Sequence, residues 1–238
     1  NYQAILKDPK FGASLGRTIL YTIGFVPVVY TLSLGMAVLL TRRSRGNTFF
    51  RTVYFMPVAM SLVVAGVIWR FMFDPTNGLM NILLGAVGLP TFQWTGHVQS
   101  AMASVLITSV WKSAGYFMII LLAGIQDIPS DYIEAAEIDG ASRWQIFRHI
   151  IMPLLKPTSF FVLVILSIGS LQAFDQIYVM TGGGPAYATY TTLMYIYEKA
   201  FREWNFGYAG AMSVALFAMI FVLTAVQVRY FRSGEIGE

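Results

Sequence analysis

Five apolar runs decide what this chain can fold into. They occupy residues 15–40, 53–73, 101–124, 158–180 and 207–230. Each holds at least about 20 residues, and a helix of that length spans about 30 Å, the hydrocarbon thickness of a bilayer. The runs are continuous rather than ten-residue and alternating, which selects transmembrane helices over a membrane barrel. Composition agrees: 56% of the residues are hydrophobic and 12% charged, about half the charged share of an ordinary soluble domain. We therefore expect an all-α fold, a polytopic transmembrane helical bundle of five spans, forming one domain over residues 1–238.

The connections orient that bundle. Arg42, Arg43, Arg45 and Arg51 crowd the first connection, Arg143, Arg148 and Lys156 a third, and Arg229 and Arg232 the tail. The alternate connections, residues 74–100 and 181–206, hold only Lys199 and Arg202, both away from the span ends. Basic residues gather on the cytoplasmic side, so the third connection and Glu238 fall inside and Asn1 outside. The net charge of +4 reflects this bias and no nucleic-acid partner. An external Asn1 without a signal peptide leads us to expect an upstream segment carrying a further span. Residues 79–89 are apolar but too short to cross and read as an interfacial or re-entrant helix.

Several chemistries are excluded. The chain has no Cys, so it has no disulfide, thiolate metal site or cysteine nucleophile. It holds no phosphate-cradling G-x-x-x-x-G-K-[ST], no H-E-x-x-H and no G-x-S-x-G. His97 and His149 are too separated in topology to share a site. His97 reads as a solvated loop residue and His149 as a polar-face residue near the membrane surface. We expect no catalytic residue, no metal site and no ATP hydrolysis by this chain alone.

The longest polar interruption, residues 131–157, reads helix, turn, helix. Ser130 is placed to cap a helix over residues 131–137, with Asp131 and Glu134 early, where the helix dipole favours negative charge. Asp139-Gly140 signals a turn. Ser142 and Gln145 form the pattern of a capping box. Trp144, Phe147 and Ile151 then recur at helical spacing, and the stretch ends at Pro153 and Pro157.

Glu134-Ala135-Ala136, Asp139-Gly140-Ala141 and then residues 150–153 resemble the EAA loop of ABC importer permeases. In that family the loop docks into a cleft on a separate ATPase subunit. The resemblance thus implies a coupling role for Glu134, Ala135, Ala136, Asp139, Gly140, Ala141, Trp144 and Phe147. The alternative is an amphipathic hairpin lying on the membrane surface. Phe174-Asp175-Gln176-Ile177, followed by Thr181-Gly182-Gly183-Gly184-Pro185, resembles the first permease subunit of the carbohydrate-uptake branch, which includes maltose and glycerol-phosphate importers. Residues 122–129, reading LAGIQDIP, fit as well, so the similarity runs over essentially the whole chain. It implies a multi-pass protein of a prokaryotic plasma membrane, surrounded by lipid. It implies a second permease subunit as heterodimer partner, two ATPase subunits that use ATP and Mg, and an extracytoplasmic substrate-binding protein. The solute implied is a sugar, an oligosaccharide or a glycerol-phosphate derivative. A secondary transporter or channel is the competing class, but the coupling hairpin is unnecessary to it.

Polar residues within the runs mark a candidate substrate path. Lys112 sits mid-way in the third run and Asp175 in the outer half of the fourth. Buried charge is costly in a bilayer, so both are expected to face the bundle interior or a water-filled cavity. Ser109, Ser113 and Tyr116 share the face of Lys112, and Ser170 and Gln172 lie in the corresponding part of the fourth run. Lys112 is equally well explained by contact with backbone carbonyls, Asp175 by an ion pair, and the serines by helix packing.

Overall fold

The computed structural model describes residues 1–41 and 46–232. Arg42, Arg43 and Arg45, and the tail from Ser233 to Glu238, lie outside the described residues. Helices and their connections make up everything described, with no strand among these residues. In order they are α1 (Tyr2–Leu6), α2 (Pro9–Thr41), α3 (Asn47–Phe55), α4 (Leu62–Met72), α5 (Leu79–Ala86), α6 (Val98–Gln126) and α7 (Ser130–Ile138). There follow α8 (Arg143–Ile146), α9 (Met152–Leu154), α10 (Lys156–Leu171), α11 (Asp175–Thr181), α12 (Thr192–Tyr197) and α13 (Phe206–Arg232).

Three of these, α2, α6 and α13, are long and apolar enough to cross a membrane singly; the number rises to five if each of two bent pairs is one span. The second apolar run is therefore not one helix. It breaks through a 3₁₀ turn at Met56–Ala59, and the two segments meet at 100°. Pro57, which lacks a backbone donor, ends the regular ladder of α3, and the bend itself falls at Met60 and Ser61, whose backbone is extended. Ser61 then starts α4 by accepting a hydrogen bond from the Val64 amide at 3.2 Å. The fourth run is interrupted as well. Helix α10 has 16 residues, about 24 Å, and stops at Leu171, ahead of α11. The hairpin enters α10 at a 69° bend.

Some connecting segments are more ordered than the sequence suggests. Residues 1–12 contain α1 and the start of α2, where the Asp8 carboxylate accepts from the Lys10 amide at 2.9 Å. The stretch 181–206 contains α12, which continues through a π turn at Glu198–Arg202. His97 caps α6, its Nδ1 accepting from the Gln99 amide at 3.4 Å. Helix α5 is short, as its length in the sequence requires.

The bundle centre is formed by α2 and α6, flanked by α10, and α13 packs against α10. Tyr21, Val29, Met118, Leu121, Leu166 and Met212 are fully buried there. Helices α2 and α6 run the same way: Gly24 faces Leu106, and the Ser33 hydroxyl donates to the Ala114 carbonyl at 2.9 Å. Helix α10 runs against α2, with Tyr30 on Ser159 and Ser170 on Thr22. Helix α3 crosses α6 closely at Gly115, where an added Cβ would stand 1.8 Å from the Tyr54 carbonyl oxygen. Leu39, Phe217 and Phe221 point outward, as lipid-facing side chains of a span do.

Candidate functional site

The break between α10 and α11 opens a cavity of about 230 Å³. Tyr21 and Phe25 from α2, Ser109, Ser113 and Phe117 from α6, and Gln172, Asp175 and Gln176 at the break all line it. A helix broken within the bilayer is tolerated where its backbone is buried in protein or lines a polar cavity. Here the Thr191 hydroxyl donates to the Ala173 carbonyl at 3.1 Å, satisfying one group freed by the break.

Of the seven residues assigned to the path from sequence, the cavity brings together Ser109, Ser113, Gln172 and Asp175. The other three lie off it. Lys112 is half-buried, and its ammonium donates to the Val58 carbonyl at 3.1 Å, at the bend of the second run. Tyr116 is 44% exposed and packs edge-on against Phe117. Ser170 is buried, its hydroxyl 3.1 Å from that of Thr22 and 2.9 Å from the Ser167 carbonyl, so it lies between α10 and α2. Sequence reasoning missed Tyr21 and Gln176. Gln176 was visible as a polar residue in the quoted motif, but nothing local signalled that it meets Tyr21.

The second candidate region is the hairpin. Helix α7 begins at Ser130, with Pro129 in the capping position and no side-chain cap. Ser130 is thus the first helical residue and not the cap. The turn is a Schellman closure: the Ala141 amide donates to the Ala136 carbonyl at 2.9 Å and the Gly140 amide to Glu137 at 3.1 Å. This geometry holds Gly140 at φ +77°. The capping box forms: Gln145 accepts from the Ser142 amide at 2.7 Å, and Ser142 accepts from the Gln145 amide at 3.4 Å. Beyond α8 the helix loosens into a π turn at Phe147–Ile151, where the Met152 amide reaches the Phe147 carbonyl five residues back. Pro153 offers no amide to the His149 carbonyl, so the regular ladder cannot pass.

Glu134, Ala135, Asp139 and Gly140 are exposed on this hairpin, while Ala136 and Ala141 are half-buried at the turn. Trp144 is 65% exposed, its ring 5.5 Å from that of the half-buried Phe147. Ile138 and Tyr132 on α7 are exposed as well. His149 is exposed, with Nδ1 3.1 Å from the Gln145 carbonyl.

A polar cluster ties α2, α12 and α13 together near their starts. The Tyr195 and Tyr208 hydroxyls donate to Asp8 at 2.7 and 2.6 Å, and Tyr190 donates to Glu198. Burial raises the Asp8 pKa, but hydrogen bonds from Tyr208, Tyr195 and the Lys10 and Phe11 amides outweigh it and hold the carboxyl below its ordinary value. Burial and the hydrogen bond to Asp8 push Tyr195 up. Among the described residues, no group of three His, Cys, Asp or Glu is arranged to hold a metal ion.

Residues 30–233 match the family model described as binding-protein-dependent transport system inner membrane component. A probable ABC transporter permease protein of Pyrococcus horikoshii is 37% identical over 98% of this chain and 81% of its own length. The sn-glycerol-3-phosphate transport system permease protein UgpA of Brucella suis is 38% identical, over 97% of this chain and 78% of its own. A sulfoquinovosyl glycerol transport system permease protein of Agrobacterium fabrum is 35% identical, over 99% and 76%. Among solved structures, a bacterial ABC transporter involved in the import of the acidic polysaccharide alginate superposes with TM-score 0.86 over 98% of this chain and 82% of that one, at 22% identity.

Proposed function

The chain belongs to the family of binding-protein-dependent transport system inner membrane components, and from that premise we propose how its parts work. It is a permease subunit of an ABC importer. We take residues 1–238 as one permease domain whose cavity forms half of a translocation path, completed by a second permease subunit. The hydroxyl and amide groups of Ser109, Ser113, Gln172 and Gln176 suit a hydroxyl-rich solute. The names of the relatives favour a glycerol phosphate, a glycoside or an oligosaccharide, delivered by an extracytoplasmic binding protein. The basic residues beside them favour a cytoplasmic hairpin and C-terminal end. Residues 131–157 are then the coupling loop, which two ATPase subunits engage; they, and not this chain, bind ATP and Mg.

The observation that carries the proposal is the exposed apolar hairpin surface around Trp144. An ordered, turn-locked hairpin with an exposed Trp is costly to leave in water, and burial in a partner cleft stabilises it by about 1.5–3 kcal/mol per large side chain. Reconstitution of this chain with its partner subunits in liposomes tests the reading. Uptake should require ATP on the hairpin side and the binding protein on the other. Uptake driven by an ion gradient alone, without ATP, would remove it.

A further inference from the structure

Three buried polar side chains line one end of the cavity. Along the parallel helices α2 and α6, the first lining residues are Tyr21 and Ser109; along α11, which continues outward from the antiparallel α10, the last is Gln176. They therefore occupy the same end, the one nearer the start of α2. They are also bonded to each other. The Gln176 carboxamide donates to the Tyr21 hydroxyl at 3.0 Å and to Ser109 Oγ at 3.2 Å. Ser109 spends its own hydrogen on the Val105 carbonyl at 2.8 Å, which leaves its oxygen to accept. Exposure is 1% at Tyr21, 2% at Ser109 and 6% at Gln176, and the Tyr21 ring is stacked on Phe25 at 5.4 Å.

Other polar bonds between helices, such as Thr18 with Thr192 or Gln227 with Ser167, lie away from the cavity. Among the described residues, the Gln176 bonds alone combine cavity lining with a link across three elements. Helix α11 lies beyond the break after Leu171, so it can shift against α10 without unwinding a helical turn. The partners of Gln176 are hydroxyls, the same chemistry a sugar or polyol presents. A solute hydroxyl can therefore accept from the carboxamide in their place and donate its own hydrogen to one of the oxygens released.

We propose that Gln176 is a solute-responsive latch: without solute it clamps α11 to Tyr21 and Ser109 and seals the outer end of the cavity, and a solute hydroxyl releases it. This rests on the importer reading above, which assigns that end to the outside. A ligand that exchanges for a closing bond shifts the equilibrium between closed and open states by its differential affinity. Loss of one neutral hydrogen bond shifts such an equilibrium about 2- to 10-fold.

The full chain, assembled with its partners in lipid nanodiscs, provides the test, with ATP hydrolysis measured with and without the solute-loaded binding protein. Tyr21→Phe removes one oxygen and keeps the stacked ring; Gln176→Leu removes the carboxamide at similar size. Each should raise hydrolysis in the absence of binding protein about 2- to 10-fold. The double variant should add nothing beyond Gln176→Leu, because the bond that Tyr21→Phe cuts is one of the two that Gln176→Leu already removes. Ser170→Ala, which removes a hydroxyl between helices off the cavity, should leave unstimulated hydrolysis unchanged. Unchanged hydrolysis in assembled Tyr21→Phe, or an additive double variant, would overturn the latch while stimulation of the unmodified complex keeps the importer reading. An unmodified complex that the binding protein fails to stimulate would bring both down.

Discussion

At the scale of single residues, Lys112 shows how a membrane-buried charge is used. Its ammonium reaches the Val58 carbonyl, a group left near the Pro57 bend. A charge-assisted bond of this kind is worth about 1.5–3 kcal/mol. Lys112→Met should therefore lower the thermal unfolding midpoint of the purified protein and leave solute selectivity intact. Altered selectivity at unchanged stability would return Lys112 to the solute path. Asp8 makes a pH argument. Its folded-state pKa lies below the ordinary value of 3.8, so its contribution to stability is present above that value and lost as pH falls through the lower, folded one. Unfolding midpoints followed from about pH 6 to pH 3 should decline with acid, and Asp8→Asn should flatten that decline. An identical acid limb in the variant would show that other carboxylates control it.

At the scale of elements, breaks shape the cavity and the hairpin. The second run bends past Pro57, at the cap of α4, and the fourth run divides where the cavity opens. The hairpin is a third such element, and its turn is local chemistry. At φ +77° a Cβ added to Gly140 meets no neighbour within 4 Å, so the penalty at that atom is backbone strain, about 1–3 kcal/mol. Gly140→Val should distort the Schellman closure and reduce binding-protein-stimulated ATP hydrolysis sharply, with membrane insertion unaffected. Trp144→Ala should reduce retention of the ATPase on purification and leave the hairpin folded, since Trp144 is mostly exposed. Full retention of the ATPase by Trp144→Ala would exclude that face from the contact.

At the scale of the whole molecule, topology is the testable property. In this Cys-free chain, Asn77→Cys and Gly184→Cys should react with an impermeant thiol reagent added outside, and Ser142→Cys should be protected. The opposite labelling pattern would invert the orientation and place the latch at the inner end. The helical class and the hairpin were legible in the sequence because each rests on short-range physics, and the family through the resemblance of its motifs. Twenty apolar residues suit a bilayer wherever they occur, and Gly140 and the Ser142–Gln145 pair act on neighbours within a few residues. Tertiary structure decided the rest. It carried Ser109 and Ser113 to the cavity, and placed Tyr116 on the surface and Ser170 between helices. It also brought Tyr21 to Gln176 across 155 positions of chain. Helical spacing tells which residues share a face, but not which neighbour that face meets; that depends on the rotation and crossing of packed helices, which contacts such as Gly115 against Tyr54 settle.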